Sequence, residues 1–374
     1  MSSVHGKGVM MQSISMFLAV ICLCGLSACN SLWDSFYFCK NEQSCDARAA
    51  DADMSDGGTS VDPGKWVKAN YVPGVSVNWV SMSIVPNTEQ LWVIGSQGEI
   101  GYIPGGSNDG QSFFVQLAEQ KVMNGSDPII DISACKNSNE LTAFVIGKKS
   151  QYRLRTYGAK TTAAGDVNPD PSSYNSVACT RWFDIDSPSG FTYLSTDEGL
   201  DYVTDALGQF RPRNNTADPF KVVSSFNVQG DTGFWALKRS NELAIFDEGL
   251  VLKNSLSVSI GLATITSYSG KDAFYVNGNG AVVRFTEGKS GVGRSAPPGV
   301  VVRSIYAESD SKVWVAGTNG YVAQFDTQKG LSDFSVEYPL LGGETAKKIV
   351  VNSSATRVYV ITESGKLMLR VLQF

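Results

Sequence analysis

Seven cysteines, a single histidine and scattered carboxylates carry whatever chemistry this 374-residue chain performs. The cysteine with the most defined setting is Cys29. It ends the run Leu26-Ser27-Ala28-Cys29, which closes an apolar stretch from Ile14 to Leu26 and opens onto a polar segment. A small residue, Ala28, precedes this thiol, and an apolar one, Leu26, stands three back. Cys22 and Cys24 follow the bulky Ile21 and Leu23 and lack a polar exit. The apolar stretch is too short to span a bilayer, which takes about 20 residues. Its length suits a signal-peptide core, with Lys7 as the positive flank.

The Leu26–Cys29 run resembles the lipobox of bacterial lipoproteins. That resemblance implies cleavage before Cys29, a diacylglyceryl thioether and an N-acyl chain on it, and stable membrane anchoring, since two or more chains hold where one does not. Residues 1–28 are then a signal peptide. Asn30 stands where Asp would retain an enterobacterial lipoprotein in the inner membrane, so the resemblance points to the outer membrane, facing periplasm or cell surface.

Cleavage would remove His5, the only histidine, together with Lys7. Lys and Arg then fall from 31 to 30 against 36 Asp and Glu, a net charge of −6. An acidic chain disfavours nucleic acid as a partner. Without histidine there is no Ser-His-Asp or Cys-His nucleophile and no His-bearing zinc or copper site. Four cysteines remain after Cys29, an even number that suits an oxidising compartment. Cys39 and Cys45 enclose a short loop and are expected to pair. For Cys135 and Cys179 the bridge stays open against two free, buried thiols. Their unequal distances to the next aromatic residue of the repeat described below argue against equivalent positions.

Residues 46–64 are rich in Asp, Ala, Gly and Ser and nearly free of large apolar side chains. Such a segment buries too little surface to offset its ordering entropy. Residues 29–64 therefore read as a lipidated, disulfide-looped, flexible acidic tether. The aromatic run Leu32–Phe38 within it lies at the membrane interface, meets a partner or folds back, and these alternatives stay open.

The elements that must position any site recur along residues 65–374. The unit is a short apolar strand, an alternating strand with an aromatic residue near its middle, a Gly/Asn/Ser turn and another alternating strand. Lys312–Asp326, Leu91–Ile103 and Ala273–Phe285 are the clearest copies. The aromatic anchors are Trp92, Phe144, Tyr193, Trp235, Tyr275, Trp314 and Tyr359, about 40–50 residues apart. Several short antiparallel strands at that period, without amphipathic helices between them, predict a β-propeller. Seven anchors predict an all-β, seven-bladed ring, with eight blades as the alternative. The last copy lacks an outermost strand, and Lys65–Val72 is expected to supply it from the other end of the chain.

The repeat, aromatic-Val-x-Gly-x-x-Gly-x-apolar, is similar to the broad superfamily of WD-like, BNR-like and quinoprotein-like propellers. It lacks the Gly-His and Trp-Asp marks of WD repeats and the Asp-boxes of sialidases. Two propeller families share an envelope or membrane context: the lipoprotein of the outer-membrane barrel-assembly machinery, and the photosystem II assembly factors, whose repeats look like Val313–Phe325. Neither carries a site residue across.

The expected function is that of a membrane-anchored scaffold for envelope proteins, with no cofactor and no metal. The polar turn residues Gln97, Lys148, Lys149, Glu198, Arg239, Asn279 and Asn319 are the candidate partner contacts. The alternatives are a propeller enzyme (quinoprotein or carboxylate-based glycosidase or lyase) and a carbohydrate or surface adhesion module. An enzyme of that kind would draw on Asp127, Asp131, Asp184, Asp186 or Asp201 as paired carboxylates. Aspartates mostly lie on solvated loops, and no catalytic residue is assigned.

Overall fold

The computed structural model describes residues 65–69, 76–86, 88–103, 115–117, 127–136, 141–148, 150–157, 160–167, 174–181, 191–196, 199–203, 210–215, 220–228, 231–247, 249–286, 289–328, 335–338 and 343–372. The chain divides into two compact units, Met1–Asp53 and Met54–Phe374. The described residues all belong to the second.

After β1 (Trp66–Lys68), the strands follow one another in hairpin-connected groups. The first sheet holds β2 (Trp79–Ile84), β3 (Leu91–Gly95), β4 (Ile100–Ile103) and β5 (Gln116–Leu117). The second holds β6 (Ile129–Lys136), β7 (Leu141–Gly147), β8 (Ser150–Tyr157) and β9 (Lys160–Val167). In the third are β10 (Tyr174–Arg181), β11 (Phe191–Thr196), β12 (Gly199–Val203) and β13 (Phe210–Asn215). The fourth contains β14 (Phe220–Val228), β15 (Asp231–Lys238), β16 (Glu242–Asp247) and β17 (Leu252–Ser257). The fifth contains β18 (Leu262–Ser267), β19 (Asp272–Val276) and β20 (Ala281–Thr286), with β21 (Lys289–Ser290) and β22 (Arg294–Ser295) both pairing along β20. The sixth is β23 (Val302–Ala307), β24 (Lys312–Gly317), β25 (Val322–Asp326) and β26 (Ser335–Glu337). The last is β27 (Ala346–Val351), β28 (Arg357–Thr362) and β29 (Leu367–Val371), and β1 pairs antiparallel with β29 through Trp66 opposite Arg370.

Every aromatic anchor falls on the second strand of its sheet. The expected alternation on these strands is not what the structure has. Leu91–Gly95 and Asp272–Val276 are buried at every position, and Val313–Gly317 likewise. The reason is that the apolar clusters lie between sheets, so a second strand is covered on both faces. One cluster joins Ile94 and Trp92 of the first sheet to Ile132 and Val145 of the second. Another joins Trp235 and Leu237 of the fourth to Tyr275 and Phe285 of the fifth. A third joins Trp79 and Met82 of the first sheet to Tyr359 and Ile361 of the last. Strands buried on both faces read as continuous apolar runs rather than as alternation.

Between sheets, the first strands are tied by hydroxyl groups. Ser83 accepts the Ala134 N–H at 2.9 Å, Ser133 that of Cys179 at 3.0 Å, and Ser176 that of Val223 at 2.9 Å. Thr266 accepts the Ala307 N–H at 2.9 Å and Ser304 that of Ile349 at 3.2 Å. A first strand that lies beside another without joining its ladder leaves N–H groups to satisfy. A short hydroxyl side chain from the neighbouring strand does this at each of these seams.

Candidate functional site

Cys135 and Cys179 form a disulfide, with Cα atoms 5.6 Å apart. They sit near the ends of β6 and β10, so the bond staples the second sheet to the third. The two are not equivalent: Cys135 lies two residues past Ser133, the partner of Phe144, and Cys179 one past Ala178, the partner of Tyr193. Residues 182–190 separate β10 from β11, where only 137–140 separate β6 from β7. Both half-cystines are buried among Phe144, Ile146, Tyr174 and Leu194. Cys29, Cys39 and Cys45 lie outside the described residues.

The turn residues occupy equivalent places, between the second and third strands of their sheets. Gln97, Lys148, Arg239, Asn279 and Asn319 are exposed, while Lys149 and Glu198 lie outside the described residues. Asn319 has a local role. It takes a φ of 58° and Gly320 one of 70°, the pair of left-handed residues that a tight hairpin turn requires and that Asn-Gly supplies. Its Nδ2 also reaches the Gly299 carbonyl at 3.4 Å.

Of the aspartates, Asp131 is held in an inner-strand cluster. Lys348 of β27 donates to its carboxylate at 2.5 Å and to the Ser81 hydroxyl of β2 at 2.6 Å, and Ser81 donates to Asp131 at 2.7 Å. Three sheets (the last, the first and the second) thereby meet at one ion pair. A lysine held against a carboxylate is a charge anchor rather than a base for the serine it touches. Asp127 accepts from Ser150 at 2.5 Å. Asp201 lies on β12 opposite Leu194, and Asp184 and Asp186 fall outside the described residues. No group of three or more His, Cys, Asp or Glu among the described residues is arranged to hold a metal.

Sequence reading missed a cleft of about 410 Å³ between the fourth and fifth sheets. The buried Phe226, Trp235 and Phe285 form its floor, and Phe246, whose ring stacks on Phe234, also borders it. Each comes from a different strand, so no local pattern announces them. The rim carries Lys253 and Asn254 from β17 and Lys271 from the turn before β19. A bulge explains the first two. Ile245 pairs with Asn254 and Phe246 with Leu252, which leaves Lys253 as an extra residue in β17. A bulge re-aims side chains, and here two consecutive residues line the same cleft.

Asp247 builds the loop leading into that strand. Its Oδ1 accepts the N–H groups of Gly249 and Val251, both at 2.9 Å, across a turn that puts Leu250 at a φ of 64°. Its other oxygen meets Lys253 at 2.7 Å. The Lys253 ammonium beside it, helped by the backbone N–H groups, holds the Asp247 carboxyl below the usual carboxylate range.

Hairpin-built antiparallel sheets, packed one against the next through face-to-face cores, define an all-β protein of the β-propeller class. Solved structures agree. The chain is similar to YCF48 bound to D1 peptide, at a TM-score of 0.60 and 11% identity over 83% of this chain and 98% of that one. It is similar to BBS1N in complex with ARL6DN, at 0.57 and 12% over 84% and 97%. A third likeness is to the Pan2 WD40 domain of Neurospora crassa, at 0.56 and 10% over 83% and 96%. At these identities the likeness shows the fold alone. No family model and no curated protein matches the sequence.

Proposed function

We infer that this chain is a lipid-anchored, seven-bladed β-propeller that serves as a protein-interaction scaffold in a bacterial cell envelope. The observation that carries the reading is the propeller fold itself, presenting exposed polar turns at equivalent positions. Two of the similar structures hold a partner: a D1 peptide on YCF48 and ARL6DN on BBS1N. Fold likeness does not fix function, so the partner of this chain must be found directly.

In this reading residues 1–28 are the signal peptide, 29–64 the tether and 65–374 the propeller. Each sheet is a blade, and β1 completes the last one. Support for the ring comes from the pairing of β1 with β29 and from the core shared by the last and first sheets. Cys29 carries the lipid, Cys39 pairs with Cys45, and the protein resides in the outer membrane.

Crosslinking in intact cells, with mass spectrometry of what copurifies, tests the scaffold. Envelope proteins crosslinked to the propeller are the expected result. Isolation as a monomer with a bound quinone or sugar would overturn it. Cys29→Ala tests the anchor: the propeller should fold and appear in the soluble fraction. Continued fractionation with membranes, in the absence of a crosslinked membrane partner, would refute lipidation at Cys29.

A further inference from the structure

The cleft between the fourth and fifth sheets has the features of a docking groove. Its floor is formed by the buried rings of Phe226, Trp235 and Phe285, and exposed apolar side chains gathered around one mouth seldom lack a use. Five large apolar side chains are exposed among the described residues, and three of them belong to the segments that form its rim. Val251 and Leu252 precede Lys253, and Tyr268 precedes Gly270 and Lys271. The outer edge of β17 has no strand partner among the described residues. Apart from the Ser255 N–H, which the Asn254 side chain accepts at 2.8 Å, its outward backbone groups are open to a further strand.

Charge selects the occupant. Lys253 is committed to Asp247. Lys271 is exposed and has no ionic partner among the described residues, so Asp247, Lys253 and Lys271 leave one net positive charge at the mouth. The chain as a whole carries −5. A cationic mouth over an aromatic floor on an acidic protein is matched by an apolar side chain next to a carboxylate.

We propose that this cleft binds an extended acidic segment of a partner protein, lying along β17, with one bulky apolar side chain in the cleft and an Asp or Glu on Lys271. The proposal rests on the scaffold reading and gives it an address and a partner chemistry. Main-chain hydrogen bonds along β17 would supply affinity, and the cleft and Lys271 would supply selectivity.

The test uses the full chain in detergent and a phage library of random dodecapeptides. Enriched peptides should pair an aromatic residue or Leu with a nearby Asp or Glu. Synthetic versions, followed by fluorescence polarisation, should lose about tenfold or more in affinity on Lys271→Glu, and likewise on Asn254→Trp, which fills the mouth. Replacing the peptide acid by Lys should restore binding to the Lys271→Glu variant. Binding should also weaken with salt, as a rim charge pair requires. No enrichment, or enriched peptides indifferent to both variants, overturns the proposal. Loss on Asn254→Trp with none on Lys271→Glu overturns the acidic partner. If cellular crosslinks to envelope proteins map elsewhere on the propeller, the cleft proposal fails while the scaffold reading stands. Cleft peptides that bind as described, without any cellular partner, would sink the scaffold reading alone.

Discussion

Reducing the Cys135–Cys179 bond isolates what one covalent staple contributes to a repeat protein. The bond closes a separation of 44 residues. In the chain-entropy description, a loop of that length removes about 4 kcal/mol of freedom from the unfolded chain. The folded seam does not depend on the bond alone. Ser133 still accepts the Cys179 N–H, and the cluster around Phe144, Tyr174 and Leu194 remains. The reduced protein should therefore stay folded, with urea unfolding at a lower midpoint and about 4 kcal/mol less stability. Cys135→Ala/Cys179→Ala should lose a little more, because removing two buried sulfurs leaves space the core cannot wholly close. The assay is urea denaturation by tryptophan fluorescence with and without reductant, paired with alkylation and mass spectrometry to count thiols. A change below about 1 kcal/mol on reduction would refute the entropic account. Alkylation of Cys135 and Cys179 in unreduced, unfolded protein would refute the bond.

Trp314 is fully buried, and its Nε1 donates to Glu308 at 2.6 Å; Trp314→Ala should cost about 3–5 kcal/mol in denaturant unfolding, and a loss under about 1 kcal/mol would contradict its place in the core. Lys348→Met leaves Asp131 with the Ser81 hydroxyl alone and should cost about 1–2 kcal/mol, since the pair is only partly screened from water. Adding Asp131→Asn should return part of that loss, and purely additive costs in the double-mutant cycle would argue against a clasp across three sheets. Burial, with the Glu308 carboxylate and then Tyr268 adding to it, pushes the Tyr306 hydroxyl up to about 12. An unfolded tyrosine ionises near 10, so Tyr306's contribution to stability is whole below pH 10 and is lost as pH rises through about 12. Ultraviolet difference titration of wild type against Tyr306→Phe should show one tyrosine ionising late, and an equal profile for both would be the contrary result.

What the sequence could express was local. Each aromatic anchor sits a few residues from its turn, and hairpins are written in neighbouring residues, so the second strands were all placed. The pairing of β1 with β29 was legible from a count of strands, one missing at the end and one spare at the start. Burial on both faces was not, because it depends on what the next sheet presents. The Cys135–Cys179 bond stayed open because the unequal distances include a real one-residue offset in register, which does not keep the two sulfurs from meeting across the seam. The cleft was invisible for a third reason. Phe226, Trp235, Phe246 and Phe285 each read as ordinary core, and only the spacing of two sheets and one extra residue in β17 leaves room between them.

The hairpins join residues near in sequence, but β1 and β29 bring together Trp66 and Arg370. About three hundred residues of chain separate the two. Local hairpins form quickly, whereas a contact of this separation comes last. Closing the longer loop costs only modestly more entropy than closing a short one, so the delay is one of timing rather than of stability. Trp66 donates through Nε1 to the Tyr338 carbonyl at 3.0 Å, so β1 is tied to the residue that follows the sixth sheet as well as to the last sheet. A folding intermediate that has not made this pairing leaves the edge of β29 open to strand addition, which the finished sheet denies to any other strand.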